Sequence, residues 1–264
     1  MHATPTIAAP PPRTLARDAV VMPAQPGRSW IFALRWMDAL APVTLSLAEQ
    51  IATAIGDRII GGECKPGARI IEQDVADEFQ VSRGPVRDAF RILEREGLAT
   101  LHRNRGLQVT QLSGTELHDI FEIRAALFCI VAQRLASMPP PRIVDQLDLL
   151  ISELGVFLND EDGDRYAETV FRIGLTMARA AGNPRLAEMV ASLALQTLRY
   201  AKLGLRSRDR RASSIALWRA TRDAIRAGDA ALAASLAAQR IYESRDEVLR
   251  LIGAADAGAE NRPS

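Results

Sequence analysis

The chain has 264 residues, which is enough for two domains that each bury a hydrophobic core. Its 33 lysine and arginine residues nearly balance 32 aspartate and glutamate residues, which excludes a uniformly basic surface and requires any nucleic-acid site to be local. The two cysteines, Cys64 and Cys129, are far apart and lack the spacing of metal ligands. We therefore expect reduced thiols in a cytoplasmic protein, not a disulfide-stabilised scaffold.

Residues 1–43 differ in composition from the rest of the chain. Repeated prolines interrupt any helical pattern there, so we expect a disordered extension. An apolar run at residues 29–34 is too short to span a membrane, and no membrane partner is expected anywhere in the chain. Two alternatives for the extension stay open: a start codon placed too early, or packing of Trp30 and Phe32 on the folded body.

Residues 44–111 are expected to form a small domain of three helices and a hairpin. Apolar residues at helical spacing predict the first helix over residues 47–60, and a pair of glycines ends it. A second helix is predicted over residues 72–79, and a third follows it directly. Two strand-like segments, at residues 98–101 and 107–110, flank a basic tip. This order of elements is that of a winged helix-turn-helix.

The third helix carries the most specific local pattern. Ser82 is predicted to cap its N-terminus through the side-chain hydroxyl, and Pro85 lies in the first turn, where a missing N–H costs nothing. An apolar stripe follows the helical period and consists of Val86, Ala89, Phe90 and Leu93. A neighbouring basic face consists of Arg83, Arg87 and Arg91. Such a face suits phosphates and guanine edges, and the alternative is an ordinary solvated helix face.

Four stretches of this domain resemble the DNA-binding domain of GntR-family transcription regulators. They are Lys65-Pro66-Gly67, Val81 to Ala89, Leu93 to Leu98, and Arg105-Gly106 with Val109. The resemblance implies that Arg83 and Arg87 reach the major groove. It implies phosphate or base-edge contacts for the flanking residues Ser82, Gly84 and Pro85. It also places the wing tip near the minor groove, with contacts from Arg103, Asn104, Arg105 and Gly106.

Three positions depart from the pattern of that family. Ile71 stands where a capping serine is usual, Gln73 where an arginine is common, and Gln80 where the turn often has glycine. These changes affect the phosphate contact of the second helix and the geometry of its turn. They leave the recognition helix itself untouched.

Residues 115–252 are expected to form an all-α bundle, reached through a linker at residues 112–114. No strand-like alternation competes with the helical pattern in this region. The first helix ends at a run of three prolines, and the others are predicted near residues 142–158, 165–181, 185–203, 209–227 and 230–251. Residues 253–264 are predicted to be a disordered polar tail.

This second region resembles the FCD domain that defines the FadR/VanR branch of the GntR family. The resemblance rests on the stretch Ala181 to Leu186, the turn Ala224 to Asp229 and the number of helices. It implies dimerisation through the bundle and a buried pocket for a small-molecule effector. Many members also bind a divalent metal there with one aspartate and three histidines.

The residues at those metal positions do not suit a metal. The family's ligand positions fall on Glu168, Arg172, Trp218 and Arg240, and the histidines of the chain lie elsewhere, at His2, His102 and His118. Zinc and nickel prefer imidazole or thiolate ligands, and an arginine keeps its proton at neutral pH and so does not become a ligand. We therefore expect no metal and no cofactor in this domain.

Two interpretations of the substituted positions are open. In the first, Arg124, Glu168, Arg172, Trp218 and Arg240 surround the former metal cavity and bind an anionic effector such as a carboxylate or a phosphate. In the second, Glu168 pairs with Arg172 one helical turn away, Arg240 finds another carboxylate, and Trp218 is a core residue.

The sequence thus predicts a homodimeric, sequence-specific DNA-binding transcription regulator, most simply a repressor. Two winged domains would bind a two-fold symmetric operator, and a small metabolite in the bundle would modulate that binding. The alternatives are a constitutive DNA binder and a winged-helix interaction protein without effector control. An enzyme is not expected, because His118 alone cannot complete a nucleophile, histidine and acid set in the second domain.

Overall fold

A computed structural model describes residues 45–102, 106–161 and 163–260 of the chain. The proline-rich segment over residues 1–43 and the wing-tip residues Arg103, Asn104 and Arg105 lie outside the described residues. None of the described helices is both long enough and apolar enough to cross a membrane.

The N-terminal domain consists of three helices and a three-stranded sheet. The helices are α1 (Leu47–Gly61), α2 (Glu72–Glu78) and α3 (Arg83–Arg95), and the strands are β1 (Arg69–Ile70), β2 (Ala99–His102) and β3 (Gly106–Val109). All strands are antiparallel in the order β1-β3-β2. The predicted helices and hairpin are confirmed. Strand β1 was not predicted, because its two residues carry no pattern and depend on pairing with Leu107 and Gln108.

Helix α3 buries the predicted stripe but begins differently from the prediction. Its buried residues are Val86, Ala89, Phe90 and Leu93, as expected. Ser82 occupies the N-cap position, yet within the described chain its hydroxyl accepts no capping hydrogen bond, so that prediction was wrong. The reason is Pro85, which occupies the third helical position and has no N–H to donate to the cap.

The C-terminal domain is an all-α bundle, as predicted. Its helices are α4 (Gly114–Ser137), α5 (Ile143–Val156), α6 (Asp164–Ala180), α7 (Pro184–Gly204), α8 (Arg208–Ala227) and α9 (Ala230–Glu260). A short 3₁₀ turn, Phe157–Asn159, follows α5. The tail predicted from residue 253 is corrected, since α9 continues to Glu260. Alanine-rich sequence favours the helix there and Gly253 does not end it.

The core of the winged domain extends onto α6 and α7, whereas the rest of the bundle has a core of its own. The predicted linker, residues 112–114, is held by contacts with the helical domain. Ser113 and Glu116 form a capping box, so α4 begins directly after Ser113. The Leu112 N–H donates to the Tyr200 hydroxyl at 2.9 Å. Five buried side chains of α6 and α7 belong to the same hydrophobic cluster as the core of the winged domain. They are Phe171, Leu175, Ala194, Leu195 and Leu198.

Gln80, in the turn between α2 and α3, has a backbone conformation that favours glycine. Its φ is 54°, in the left-handed region where a Cβ atom is strained. We expect Gln80→Gly to raise the free energy of unfolding by about 1 kcal/mol, measured by urea denaturation. The matched control is Gln133→Gly on the exposed side of α4, which should lower it by about 1 kcal/mol. Equal effects at the two positions would contradict the assignment of strain to Gln80.

Candidate functional site

The N-terminal turn of α3 presents a basic face to solvent. Ser82, Arg83, Gly84 and Arg87 are exposed, whereas Pro85 is half-buried against the domain. Helix α2 lies beside this turn, so the two helices form the helix-turn-helix unit. All five residues precede or belong to the first turns of α3, where backbone N–H groups also point outward.

The arginines of this face are held by polar side chains of the same domain. The Arg83 Nε donates to the Gln73 Oε1 at 2.8 Å, and the Arg87 Nε lies 3.0 Å from the Glu72 Oε2. The Glu72 carboxylate raises the pKa of Arg87, whose side chain remains 61% exposed. An ion pair this exposed is weak, so the guanidinium can exchange Glu72 for a phosphate or a base edge.

A groove of about 860 Å³ separates α3 from the hairpin. Its charged and titratable lining residues are Arg69, Glu72, Arg83, Arg87, Arg91 and His102. Gly106 starts β3 at the base of the wing with a φ of 78°, and a Cβ atom there would lie 2.5 Å from the Ile70 carbonyl oxygen. Only glycine fits there. Leu101, His102 and Gly106 line the groove, so the base of the wing lies directly beside it.

A second candidate site lies inside the helical bundle. A cavity of about 40 Å³ is enclosed by α4, α6, α7 and α9. Its walls are mostly apolar, with Phe128, Val170, Phe171 and Leu198 among them. The only charged residues that line it, among those described, are Arg124 and Arg240.

Arg240 is a buried cation to which no carboxylate pairs in the part of the chain that the structure describes. Its side chain is 6% exposed, and its Nε and Nη2 make no hydrogen bond to any described residue. The guanidinium carbon lies 3.6 Å from the Trp218 ring centroid and 5.0 Å from that of Phe128, so aromatic faces supply its surroundings. Burial, reinforced by the positive charge of Arg124, lowers the pKa of Arg240 to about 9.

Arg124 faces the same cavity and is only partly satisfied. Its Nη1 donates to the Thr197 hydroxyl at 2.7 Å, while its Nε is buried and has no partner in the described part of the chain. Its guanidinium carbon lies 5.0 Å from the Phe121 ring centroid. Burial lowers the pKa of Arg124 to about 10. Thr197 was not predicted as a site residue, because nothing in the local sequence of α7 marks it.

The structure brings three of the five predicted effector residues together and places the others apart. Arg124, Trp218 and Arg240 lie at or against the cavity. The Arg172 Nη1 instead lies 2.8 Å from the Glu153 Oε2 of α5, and neither Arg172 nor Glu168 lines the cavity. Arg172 therefore has a structural partner on a neighbouring helix, which the spacing within α6 could not reveal.

Arg211 shows how this fold satisfies a buried arginine that has a structural role. Its side chain is 3% exposed and donates to four backbone carbonyls, those of Leu158, Asp160, Leu205 and Arg206, at 2.7 to 2.9 Å. Arg240 is equally buried and has none of these bonds. The contrast marks Arg240 and Arg124 as groups with free hydrogen-bonding capacity.

The chain matches two known protein families. Residues 47–109 match the bacterial regulatory proteins of the gntR family, and residues 119–243 match the FCD domain. The first covers the three helices and the sheet of the winged domain, and the second covers most of the bundle.

Curated relatives match over part of the chain. The gluconate operon transcriptional repressor of Bacillus subtilis is 30% identical over 122 residues, which are 46% of this chain and 50% of the relative. The HTH-type transcriptional repressor RspR of Escherichia coli is 36% identical over 95 residues, 36% of this chain and 42% of the relative. The chain thus spans half or less of the length of these two relatives.

Solved structures share the architecture of the whole described body. Escherichia coli McbR/YncC has a TM-score of 0.68 at 19% identity and covers 79% of this chain and 100% of its own. Lar, which controls expression of the Listeria monocytogenes agr system, has a TM-score of 0.58 at 20% identity and covers 80% of this chain. These structures share the fold, and the matches over residues 47–109 and 119–243 show that the chain belongs to the GntR family of bacterial regulatory proteins and carries an FCD domain behind its winged helix-turn-helix.

Proposed function

We propose that the protein is a homodimeric transcription repressor that binds a two-fold symmetric DNA operator and releases it when a small organic anion occupies the bundle cavity. The observation that carries the DNA-binding part is the exposed basic start of α3 beside the groove and the wing. A helix end of this kind fits the major groove, where bidentate arginine contacts distinguish guanine from other bases.

The arrangement of charges supports contact with DNA at this face. Arg69, Arg83, Arg87 and Arg91 all line the groove, so the positive charge is concentrated there in a protein whose net charge is only +1. Phosphates on either side of a DNA groove would replace the hydrogen bonds that Gln73 and Glu72 make with Arg83 and Arg87. We propose that Arg87 contacts a base edge and that Arg69 and Arg91 contact phosphates.

The bundle cavity supports an anionic ligand. Buried N–H groups of Arg124 and Arg240 have no acceptor among the described residues, and such groups are costly until they are paired. A carboxylate or a phosphate can accept from both guanidinium groups at once. The cavity volume is about 40 Å³, close to the roughly 30 Å³ that one water molecule occupies, so even a small acid requires its apolar walls to move apart.

The walls of this cavity supply a route to the winged domain. Phe171, Leu175 and Leu198 line the cavity and also belong to the hydrophobic cluster that contains the core of the winged domain. A ligand that shifts these side chains would shift the winged domain with them. It changes operator affinity only if it binds the two arrangements with different affinity.

The proposed homodimer requires an apolar surface outside the core. Ile123 is 48% exposed and Ile130 is 44% exposed, and the two lie about two turns apart on the same side of α4. Burial of such a stripe against its symmetric copy would stabilise a two-fold dimer.

The DNA-binding proposal is tested by gel shift with DNA from upstream of the protein's own gene, at two salt concentrations. A regulator of this kind should prefer some fragments over others and should lose affinity steeply with salt, because bound phosphates release counterions. Absence of binding, or binding without any preference among fragments, would contradict a sequence-specific regulator. The second result would favour a non-specific DNA binder.

The ligand proposal is tested by a thermal-shift screen of formate, acetate, pyruvate and inorganic phosphate. At least one anion should raise the melting temperature of the wild-type protein, and Arg240→Met and Arg124→Met should abolish that rise. Arg172→Ala is the matched control and should keep the response, because Arg172 pairs with Glu153 away from the cavity. Equal stabilisation of the wild type and both methionine variants would contradict binding between the two arginines.

A further inference from the structure

A second cavity, of about 340 Å³, lies between the winged domain and the helical domain. The end of α1 and the residues after it form one side, α7 forms the opposite side, and Leu112 and Ile252 contribute from the connection and from α9. It shares no described lining residue with the cavity of Arg124 and Arg240. It is therefore a separate space, about eight times larger in volume.

The lining of this interdomain cavity combines apolar surface with positive charge. Ile60, Leu203 and Ile252 supply apolar walls, and Arg199, Lys202 and Arg206 supply cations. The lining carries one carboxylate, that of Asp164, and the Lys202 ammonium lies 3.0 Å from it. The positive charges of the Arg199 and Arg206 guanidinium groups therefore exceed the negative charge of the described lining.

The two guanidinium groups have no carboxylate partner in the residues that the structure describes. Arg199 stacks on the Tyr200 ring, 4.6 Å from its centroid, and its Nη2 donates to the Tyr200 hydroxyl at 3.0 Å. Arg206 is exposed and forms no ion pair within the described ranges. Other surface arginines of this chain, such as Arg165 and Arg250, do pair with acids. An apolar cavity with two uncompensated cations at its side is complementary to a molecule with an apolar body and an acidic end.

We propose that the interdomain cavity binds an organic anion with an apolar body, whose acid group contacts Arg199 and Arg206 and whose body packs against Ile60, Leu203 and Ile252. At roughly 30 Å³ for each water-sized unit, the cavity holds about eleven such units, which corresponds to an acid of about ten non-hydrogen atoms. This ligand is larger and more apolar than the one proposed for the bundle cavity, and its binding does not depend on that proposal.

Tyr200 connects such a ligand to both domains. Its hydroxyl accepts from the Leu112 N–H at 2.9 Å and from Arg199, which leaves its own O–H free to donate to the acid group. Leu112 belongs to the segment that joins the domains, and Ile60 belongs to α1 of the winged domain. A ligand held by these residues would restrict the position of the winged domain relative to α7.

Isothermal titration of the full chain with cinnamate and octanoate, and with the neutral cinnamyl alcohol, tests this proposal. We expect saturable binding of one acid per chain, with cinnamyl alcohol about tenfold weaker than cinnamate because it lacks the charged acceptor. Arg206→Gln should weaken binding of the acid by about tenfold, and Leu203→Trp, which fills the cavity, should abolish it. Arg240→Met is the control and should leave binding unchanged.

Two outcomes of the titration would overturn the proposal. One is the absence of saturable binding for both acids, and the other is equal affinity for cinnamate and cinnamyl alcohol. Binding that is lost in Arg240→Met and kept in Arg206→Gln would assign these acids to the bundle cavity instead, which also overturns it.

Alkylation of the two cysteines locates the ligand without any substitution. Cys64 lines the interdomain cavity, whereas Cys129 lies on α4 and does not. Burial raises the pKa of both thiols, so iodoacetamide labelling is followed by mass spectrometry at alkaline pH. Cinnamate should slow labelling of Cys64 and leave that of Cys129 unchanged. Protection of neither thiol, or of both equally, would contradict the location.

Discussion

Replacing Arg87 by alanine is expected to weaken binding of the protein to its operator by about 5- to 150-fold, the range for an arginine that contacts a base edge. The loss follows from the exposed position of its guanidinium at the start of α3. It should be larger on the operator than on unrelated DNA, because a base contact carries the sequence preference. Fluorescence anisotropy with labelled operator at constant salt measures both affinities.

Two companion variants make the result on Arg87 specific. Glu72→Gln removes the acid that holds Arg87 and should strengthen operator binding by up to about fivefold. Arg185→Ala is the matched surface control: it removes a 90%-exposed arginine at the start of α7, away from the groove, and should leave affinity unchanged. Operator binding by Arg87→Ala that equals that of the wild type would contradict the assignment of α3 to the major groove.

Replacing Arg240 by methionine is expected to raise the free energy of unfolding by about 1–4 kcal/mol, because it removes a buried charge to which the described residues offer no carboxylate partner. Methionine retains the apolar contact with Trp218 and Phe128. Urea denaturation at neutral pH measures the change. The matched control is Arg211→Met, which strands four backbone carbonyls and should lower the free energy of unfolding by at least about 3 kcal/mol.

The effect of Arg240→Met should depend on pH in one direction. Burial lowers the pKa of Arg240 to about 9 in the folded protein, below its value in the unfolded chain. Above pH 9 the folded state releases a proton that the unfolded state keeps, so the stability of the wild type rises relative to that of the variant. The difference between the two proteins should be constant near pH 7 and should shrink above pH 9. A wild type that is the more stable protein at pH 7 would contradict an uncompensated charge.

Local patterns were sufficient for most of the fold. The stripe of Val86, Ala89, Phe90 and Leu93 identified both the extent and the buried face of α3, because helical periodicity is a property of the sequence itself. The end of α6 and the start of α7 were predicted from the helix-breaking residues Gly182, Asn183 and Pro184 between them. The winged domain and the all-α bundle were both predicted, and their family was identified from short motifs.

The features that were missed depend on partners far away in the chain. Strand β1 exists because Arg69 and Ile70 pair with β3, and Arg172 is neutralised by Glu153 on another helix. Arg211 resembles any other arginine of α8 in the sequence, and only the folded chain places four carbonyls around it. The cap at Ser82 differs from these cases, because Pro85 lies three residues away in the sequence and lacks the N–H that the Ser82 hydroxyl would accept from.

The extension of the winged-domain core onto α6 and α7 affects any attempt to use the DNA-binding half in isolation. Excised near residue 111, it would expose the apolar side that Phe171, Leu195 and Leu198 cover in the intact chain. Such a fragment should aggregate or unfold, and fusing it to an unrelated sensor should fail for the same reason. A working biosensor chimera built from this protein needs its fusion junction after α7, so that α6 and α7 remain attached to the winged domain and cover its apolar side.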